Sequence, residues 1–218
     1  HNLQASVSGS EGRMSYYLSG IYRDQEGIVI NTGYQQLSLR SNLEAKVNRN
    51  FKIGLNLFMN RGERLNDINS AGNGNGQGSL VAKALTWDPT TPIFNSNGEY
   101  NLRSIKGIAS LNDNPVRTLN ESESINFDER FSTALNADWN ITENLTYTFT
   151  GGTQLNNFNT QRYLVEVGDD FLPHTSFRNF KFQNYQISNI LTWNQDFGNN
   201  NLKLTAVQEY INSLNLTN

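Results

Sequence analysis

The sequence has no cysteine, so no disulfide, thiolate metal site or cysteine nucleophile is available. It has two histidines, His1 and His174, too few by themselves for a multi-histidine metal centre. It has no excess of positive charge: 17 Lys+Arg stand against 20 Asp+Glu, a formal net charge of −3. That balance argues against a protein held on nucleic acid by phosphate contacts. No apolar run approaches the roughly 18 residues that a membrane-spanning helix needs, and the mean hydropathy is −0.58. Transmembrane β-barrels survive this exclusion, because their apolar residues alternate with polar ones and average away. No secretory leader pattern opens the chain. A strand-like pattern begins at once at His1 and stops at Asn218 without a closing signal, which reads as a mature chain or a piece of a longer one.

Asparagine is abundant, 34 of 218 residues, and Gly occurs 17 times. Low hydropathy alone suggests disorder. The 12 Phe, 9 Tyr and 3 Trp, together with regular alternation, argue against it. Asn disfavours helices and favours turns, so the expectation is an all-β chain with many turns.

The alternation recurs along the chain. Leu3, Ala5 and Val7 alternate with polar residues, and a turn follows at residues 9–12. Met14 to Arg23 is a second strand whose apolar face is ambiguous, Tyr16, Leu18 and Tyr22 competing with Tyr17 and Ile21. After a loop over residues 24–33, Leu37, Leu39, Leu43, Ala45 and Val47 share a face, with Arg40, Glu44 and Lys46 on the other. A turn at Asn48-Arg49-Asn50 leads to Ile53, Leu55, Leu57 and Met59. A long segment, residues 61–123, then intervenes. It holds a Gly-Asn run at residues 72–78, a short helix near residues 80–85 and the prolines Pro89 and Pro92. A loop of this length in a compact domain usually carries function. Strands resume with Phe131, Leu135, Ala137 and Trp139, then Leu145, Tyr147 and Phe149. A loop of about twenty-five residues precedes Tyr185, Ile187, Leu191 and Trp193, and a last strand carries Leu202, Leu204 and Ala206.

That is about eight strands, and short connections alternate strictly with long ones. Short turns on one side and long loops on the other are the asymmetry of an up-and-down outer-membrane barrel; a sandwich has no reason to obey it. Phe51, Trp139 and Trp193 fall beside short turns, where aromatic rings on an apolar face form an interfacial girdle. In a soluble domain the same rings would close the end of a core. The fold class expected is therefore all-β, an antiparallel up-and-down transmembrane β-barrel segment.

The run Tyr22-Arg23-Asp24-Gln25-Glu26-Gly27 through Gly33-Tyr34, with Leu39-Arg40-Ser41-Asn42-Leu43 after it, resembles the SusC/RagA-like TonB-dependent outer-membrane transporters. The opening His1-Asn2-Leu3 and Ser6-Val7-Ser8-Gly9, and the later Asn95-Ser96-Asn97-Gly98-Glu99-Tyr100, look like stretches of the same family. The resemblance implies a barrel of 22 strands, of which residues 1–218 would supply about eight, with the plug domain and remaining strands absent and residues 61–123 as a long extracellular loop. It implies import of oligosaccharides or peptides, a SusD-like surface lipoprotein as partner, energy from TonB through absent parts of the full chain, and a lipid bilayer around the wall. It implies no enzyme activity, no cofactor and no nucleic acid. A secreted all-β carbohydrate-binding module or adhesin is the alternative, and a small closed eight-stranded barrel a third.

Motifs for other chemistry fail on their context. The glycines of residues 72–78 lack a flanking strand and a following Gly-Lys. Residues 67–78 begin like a calcium loop but lack the bidentate Glu at position twelve. Asp169-Asp170 reads as a solvated acidic loop, and Asp196-Phe197-Gly198 has none of the kinase motifs around it. The candidate substrate contacts are loop aromatics, which stack on sugars or pack against peptide side chains: Trp87, Phe94 and Tyr100 in the long loop, and Phe171, Phe177 and Phe180 in the later one.

Overall fold

A computed structural model describes residues 1–66, 80–102, 114–164 and 173–217. Eight strands form one antiparallel sheet in chain order: β1 (Asn2–Glu11), β2 (Met14–Glu26), β3 (Gly33–Lys46), β4 (Phe51–Leu65), β5 (Glu123–Asn140), β6 (Leu145–Leu164), β7 (His174–Phe197) and β8 (Asn200–Thr217). Two short helices, α1 (Leu80–Thr86) and α2 (Pro115–Glu121), lie between β4 and β5. β1 and β8 are the two edges of the sheet, and no ladder joins them among the described strands; a small closed barrel would need one.

Directly opposed residues share a face, so the register fixes both faces of the whole sheet. One chain of partners runs Gly9, Tyr16, Leu43, Leu55, Leu135, Gly151, Ile187, Tyr210. Another runs Leu39, Met59, Phe131, Leu155. These rows lie on one face, which is apolar. The ambiguity in β2 is resolved the same way: Tyr16, Leu18 and Tyr22 share the face of Leu43, Ser41 and Leu37. The other face is polar and laddered. Thr148 Oγ1 donates to Asp138 Oδ1 at 2.9 Å, Thr160 Oγ1 to Asn126 Oδ1 at 2.8 Å, and Gln186 Nε2 to Glu209 Oε1 at 2.8 Å.

The sheet is a single layer without a core of its own. Among the described residues the one buried hydrophobic side chain is Leu80, while Leu39, Met59, Leu135 and Leu204 stay 41–56% exposed. The chain exposes 14621 Å², against about 10,000 Å² for a compact monomer of this mass. A soluble module would have folded a second layer over the apolar rows.

The connections separate by length as the alternation predicts. Residues 12–13, 47–50, 141–144 and 198–199 are tight turns at one end; residues 27–32, 66–122 and 165–173 are the longer ones at the other. Gly12 and Gly198 have φ of 58° and 61°, a conformation that costs glycine nothing. The first turn is therefore residues 12–13, and residues 9–11 belong to β1. The loops are shorter than the sequence suggests, because β2, β4, β5, β6 and β7 all extend further toward the long-connection end. The segment 61–123 begins and ends in strand, and α2 inside it was not foreseen.

Candidate functional site

Of the expected contacts in the long segment, Phe94 and Tyr100 lie together. Phe94 and Tyr100 form a two-residue bridge, and their rings stack with centroids 4.8 Å apart. Between them Asn95 Oδ1 accepts from the backbone N–H of Asn97 and Glu99, and Gly98 takes φ 82°. Trp87 Nε1 donates to the Thr91 carbonyl at 3.1 Å, so its polar edge is already used. Tyr100 Oη accepts from Asn120 Nδ2 at 2.9 Å. Phe94 keeps half its surface exposed.

Asparagine holds this end together. Asn114 is fully buried. Its Oδ1 accepts from the Val116 and Arg117 N–H groups, capping α2, and its Nδ2 donates to the carbonyls of Ile93 and Asn101. All four hydrogen-bonding sites of the amide are thus occupied. Asn31, at the left-handed φ of 54°, donates to Leu119 O and Asn120 Oδ1. Asn66 Nδ2 donates to the Asn31 carbonyl, and its Oδ1 accepts from Ser124 N. The tip of β2–β3, the end of β4 and the start of β5 are linked to α2 through this chain.

Phe177 and Phe180 are not loop residues. Both lie in β7, and they face opposite ways: Phe177 pairs with Gln161 on the apolar side, Phe180 with Phe158 on the polar side. Asn157 and Asn159 read as turn formers, but they lie within β6, where cross-strand amide contacts use their side chains. Asn157 Nδ2 donates to Glu129 Oε2 at 3.0 Å, and Asn179 donates to both Asn157 and Asn159. Phe171, Asp169, Asp170 and the motifs within residues 67–78 lie outside the described residues, as does the His174 side chain.

The polar face carries a strip that sequence reasoning missed. Phe158 and Phe180 lie 6.1 Å apart by ring centroid. The Arg130 guanidinium sits 5.7 Å over the Phe158 ring and is held by Asp128 through two hydrogen bonds, 2.9 and 2.7 Å. Arg40 over Phe58 at 5.6 Å and Arg64 over Tyr34 at 5.7 Å repeat the arrangement on the same face. Asn156, opposite both Arg130 and Phe182, has a buried Oδ1 without a partner. Flat rings, fixed guanidinium groups and an unfilled acceptor can stack on, pair with and accept hydrogen bonds from a polar solute. The signal in the sequence was the spacing of Asp128, Arg130 and Ser132, one face of a strand; Phe158 was hidden by its asparagine neighbours.

Phe51, Trp139 and Trp193 lie on the apolar face at the short-turn end. Phe51 opposes Trp139, and Trp139 opposes Tyr147. Trp193 opposes Leu145, and its ring lies 6.3 Å from Phe197. Among the described residues no group of three or more His, Cys, Asp or Glu could hold a metal.

Two curated relatives from Formosa agariphila align over almost the whole chain. TonB-dependent receptor P3 is 28% identical over 215 residues, 96% of this chain and 21% of the relative; TonB-dependent receptor P26 is 24% identical over 212 residues, 95% of this chain and 20% of the relative. The RagAB peptide importer in its closed-closed state superposes with a TM-score of 0.73 at 19% identity, covering 99% of this chain and 25% of that one. A second RagAB structure, of the peptide transporter, gives 0.72 at 21% identity, covering 96% and 24%. The chain is similar in sequence to TonB-dependent receptors and in fold to the RagAB importer. It spans about a fifth of the length of the curated relatives it matches, and no family model matches it. Its fold is that of a stretch of barrel wall with its connections, an all-β antiparallel meander.

Proposed function

We propose that this chain is part of the wall and mouth of an outer-membrane, TonB-dependent importer of oligosaccharides or peptides, and that it is not an enzyme. The apolar face meets lipid, the polar face lines the lumen, and the long connections lie outside the cell. The relatives named as receptors and the RagAB importer fold support this class of function. A SusD-like surface lipoprotein closes the mouth, and TonB drives the cycle through other parts of the protein.

The observation that carries the reading is the height of the apolar band. The row Phe51–Trp139–Tyr147–Leu191 bounds it at the short-turn end. Ten residues further along each strand, the row Arg61–Glu129–Asn157–Lys181 interrupts the apolar face with polar groups. Ten residues of strand span about 34 Å. At the usual barrel tilt of about 40° the band is about 26 Å tall, close to the ~25 Å apolar belt of outer-membrane barrels. Phe51, Trp139 and Trp193 then form the girdle on the inner side, with Tyr147 and Phe197 added to it.

Transport follows from the faces. Solute is first met by the exposed ring of Phe94 and by the loop assembly. It then passes along the arginine–aromatic strip of Arg130, Phe158 and Phe180. Trp87, Tyr100, Phe171 and Phe177 were the other candidates. Tyr100 and Trp87 act as braces, and Phe177 faces away from the lumen.

Fractionation tests the reading. The native polypeptide carrying these tryptic peptides should require detergent for release from the outer membrane and should have a denatured mass several times 24.6 kDa. Recovery in the buffer-soluble fraction would overturn it in favour of a secreted module.

A further inference from the structure

The polar face sorts its charges along the strands. Its outer half runs from the row Ser19–Arg40–Phe58–Ser132–Gln154–Asn184 to the long connections. There the cations of the described strands are all arginines: Arg23, Arg40, Arg64, Arg130, Arg162 and Arg178. One strand carboxylate, Asp128, lies among them, and it is already bound to Arg130. In the inner half the cations are lysines, Lys46, Lys52 and Lys203, set among Glu44, Asp138, Asp196 and Glu209. On the opposite face of the same outer end the sign inverts. Asp24, Glu26, Glu63, Glu123 and Glu129 outnumber Arg61 and Lys181 there. The arginines are therefore gathered on one side of a single layer and are not the trace of a generally basic end. The described carboxylates of the mouth are engaged locally: Glu121 with Arg117, Glu99 with Asn95, and Asp88 with Thr90.

Arg23, Arg40 and Arg178 have no carboxylate partner among the described residues, and Arg40 and Arg178 are exposed. Arg130 spends Nε and Nη2 on Asp128 and keeps Nη1. A guanidinium laid on a ring, as Arg40 and Arg130 are, keeps its N–H fork for an anion. A concave wall lined by one sign of charge also raises the local concentration of the opposite sign. Between Ile21 at one flank and Leu164 at the end of β6, this half of the face has no aliphatic side chain among its described strand residues. Rings, amides and hydroxyls fill it, Asn60, Asn126, Gln154 and Asn156 among them. Such a surface suits hydroxyl-rich rings better than peptide side chains, which need apolar recesses. We propose that the solute is an acidic oligosaccharide, carrying carboxylate or sulfate groups. Sugar rings stack on Phe158 and Phe180, and the acidic groups pair with Arg178, Arg130 and Arg40. The inference rests on the proposed importer reading, with the polar face toward the lumen, and narrows its solute.

The test is calorimetric titration of the full-length protein, extracted from outer membranes in mild detergent. Two matched pairs of probes separate the anions: oligogalacturonate with its methyl ester, and sulfated with unsulfated dextran oligosaccharide. Hexaglutamate is the acidic peptide control. In at least one pair the acidic member should bind about tenfold tighter or more, the weight of one charge-assisted hydrogen bond. The preference should vanish in the double variant Arg40→Gln, Arg178→Gln, which breaks no ion pair among the described residues, and persist in Lys203→Gln at the short-turn end. The absence of any preference in both pairs overturns the proposal, whether or not the double variant assembles. A preference that survives the double substitution also overturns it, and a loss of thermal stability alongside would assign the arginines to holding another part of the same protein. Hexaglutamate bound tighter than either acidic oligosaccharide overturns it in favour of acidic peptides. Tight binding of the neutral members alone would sink the proposal and leave the importer reading standing, whereas a protein that never required detergent would sink that reading itself.

Discussion

β3 and β4 pair without interruption from Gly33 opposite Leu65 to Lys46 opposite Lys52. At the long-connection end, by contrast, Asn66, Asn31, Asn120 and Tyr100 link separate connections one hydrogen bond at a time. The wall repeats one rule, so each residue's environment follows from its parity. The mouth has no repeat, and the contacts that link its connections join residues 20 to 89 positions apart. The wall therefore tolerates exchange of polar side chains but not a change of face. The mouth tolerates changes of surface but not loss of a particular amide.

The largest expected effect breaks the wall's rule. Leu135 lies near the middle of the apolar band, and Asn136 beside it lies on the polar face. Leu135→Arg should destabilise the assembled full-length barrel by about 2–4 kcal/mol, the cost of arginine on a lipid face at mid-depth. Asn136→Arg should cost less than about 1 kcal/mol. Denaturant titration in bilayers, followed by gel mobility of unheated samples, reads both. Equal effects would remove the distinction between the faces and with it the orientation of the wall.

Next in size is the mouth. Asn114→Ala leaves the carbonyls of Ile93 and Asn101 and the N–H groups of Val116 and Arg117 without their partner. Loss of an N-cap costs about 1 kcal/mol, and each buried group left unpaired about 1–3 more if water does not reach it. The expected outcome is a local loss of about 2–3 kcal/mol. Amide exchange should accelerate by one to two orders of magnitude in residues 93–101 and 115–122 and stay unchanged in β3 to β6. Faster exchange in the wall as well would show that mouth and wall unfold together.

This asymmetry also explains what could be read in advance. Strands with alternating Leu, Ile and polar residues, such as β3 and β4, were legible because burial of one face enforces period two. The outer halves of β6 and β7 were not. Asn157, Asn159 and Asn179 carry turn propensity, and pairing with Glu129 and with one another overrides it. Phe177 and Phe180 were consequently placed in a loop. α2 did carry a signal, Asn at the cap and Pro at the first helical position, but the long segment hid it. The carbonyls that accept from Asn114 lie 13 and 21 residues away, beyond any local rule. The placement of Phe51, Trp139 and Trp193 on the apolar face beside the short turns was legible because it depends on strand ends alone.

A smaller effect tests which face meets solute. Phe177 and Phe180 are three residues apart and point to opposite sides. Phe180→Ala removes the ring contact with Phe158 and should lower uptake or solute affinity about fivefold, equivalent to about 1 kcal/mol, the range of an aromatic contact. Phe177→Ala should leave uptake unchanged. Solute binding by the full-length importer, measured by calorimetry, reads the difference. An effect of Phe177→Ala alone would reverse the assignment of lumen and lipid at the outer end of β7.

The smallest effect lies at the short-turn end of the polar face, where charge can be altered without changing faces. Lys52 lies 3.1 Å from Glu44, with side chains 43% and 56% exposed. It also opposes Lys46 on one side and Asp138 on the other. Lys52→Ala removes two attractions and one repulsion, each screened by water, and should change stability by no more than about 0.5 kcal/mol. Glu44→Ala removes only attraction and leaves Lys46 facing Lys52, so it should destabilise by a few tenths of a kcal/mol more, roughly the cost of opposed like charges. At about 1 M salt the screening length falls to about 3 Å, and the two variants should converge. A persistent gap in high salt would mean that this end of the lumen excludes ions, and that the polar face is packed against another part of the protein there and is not wet.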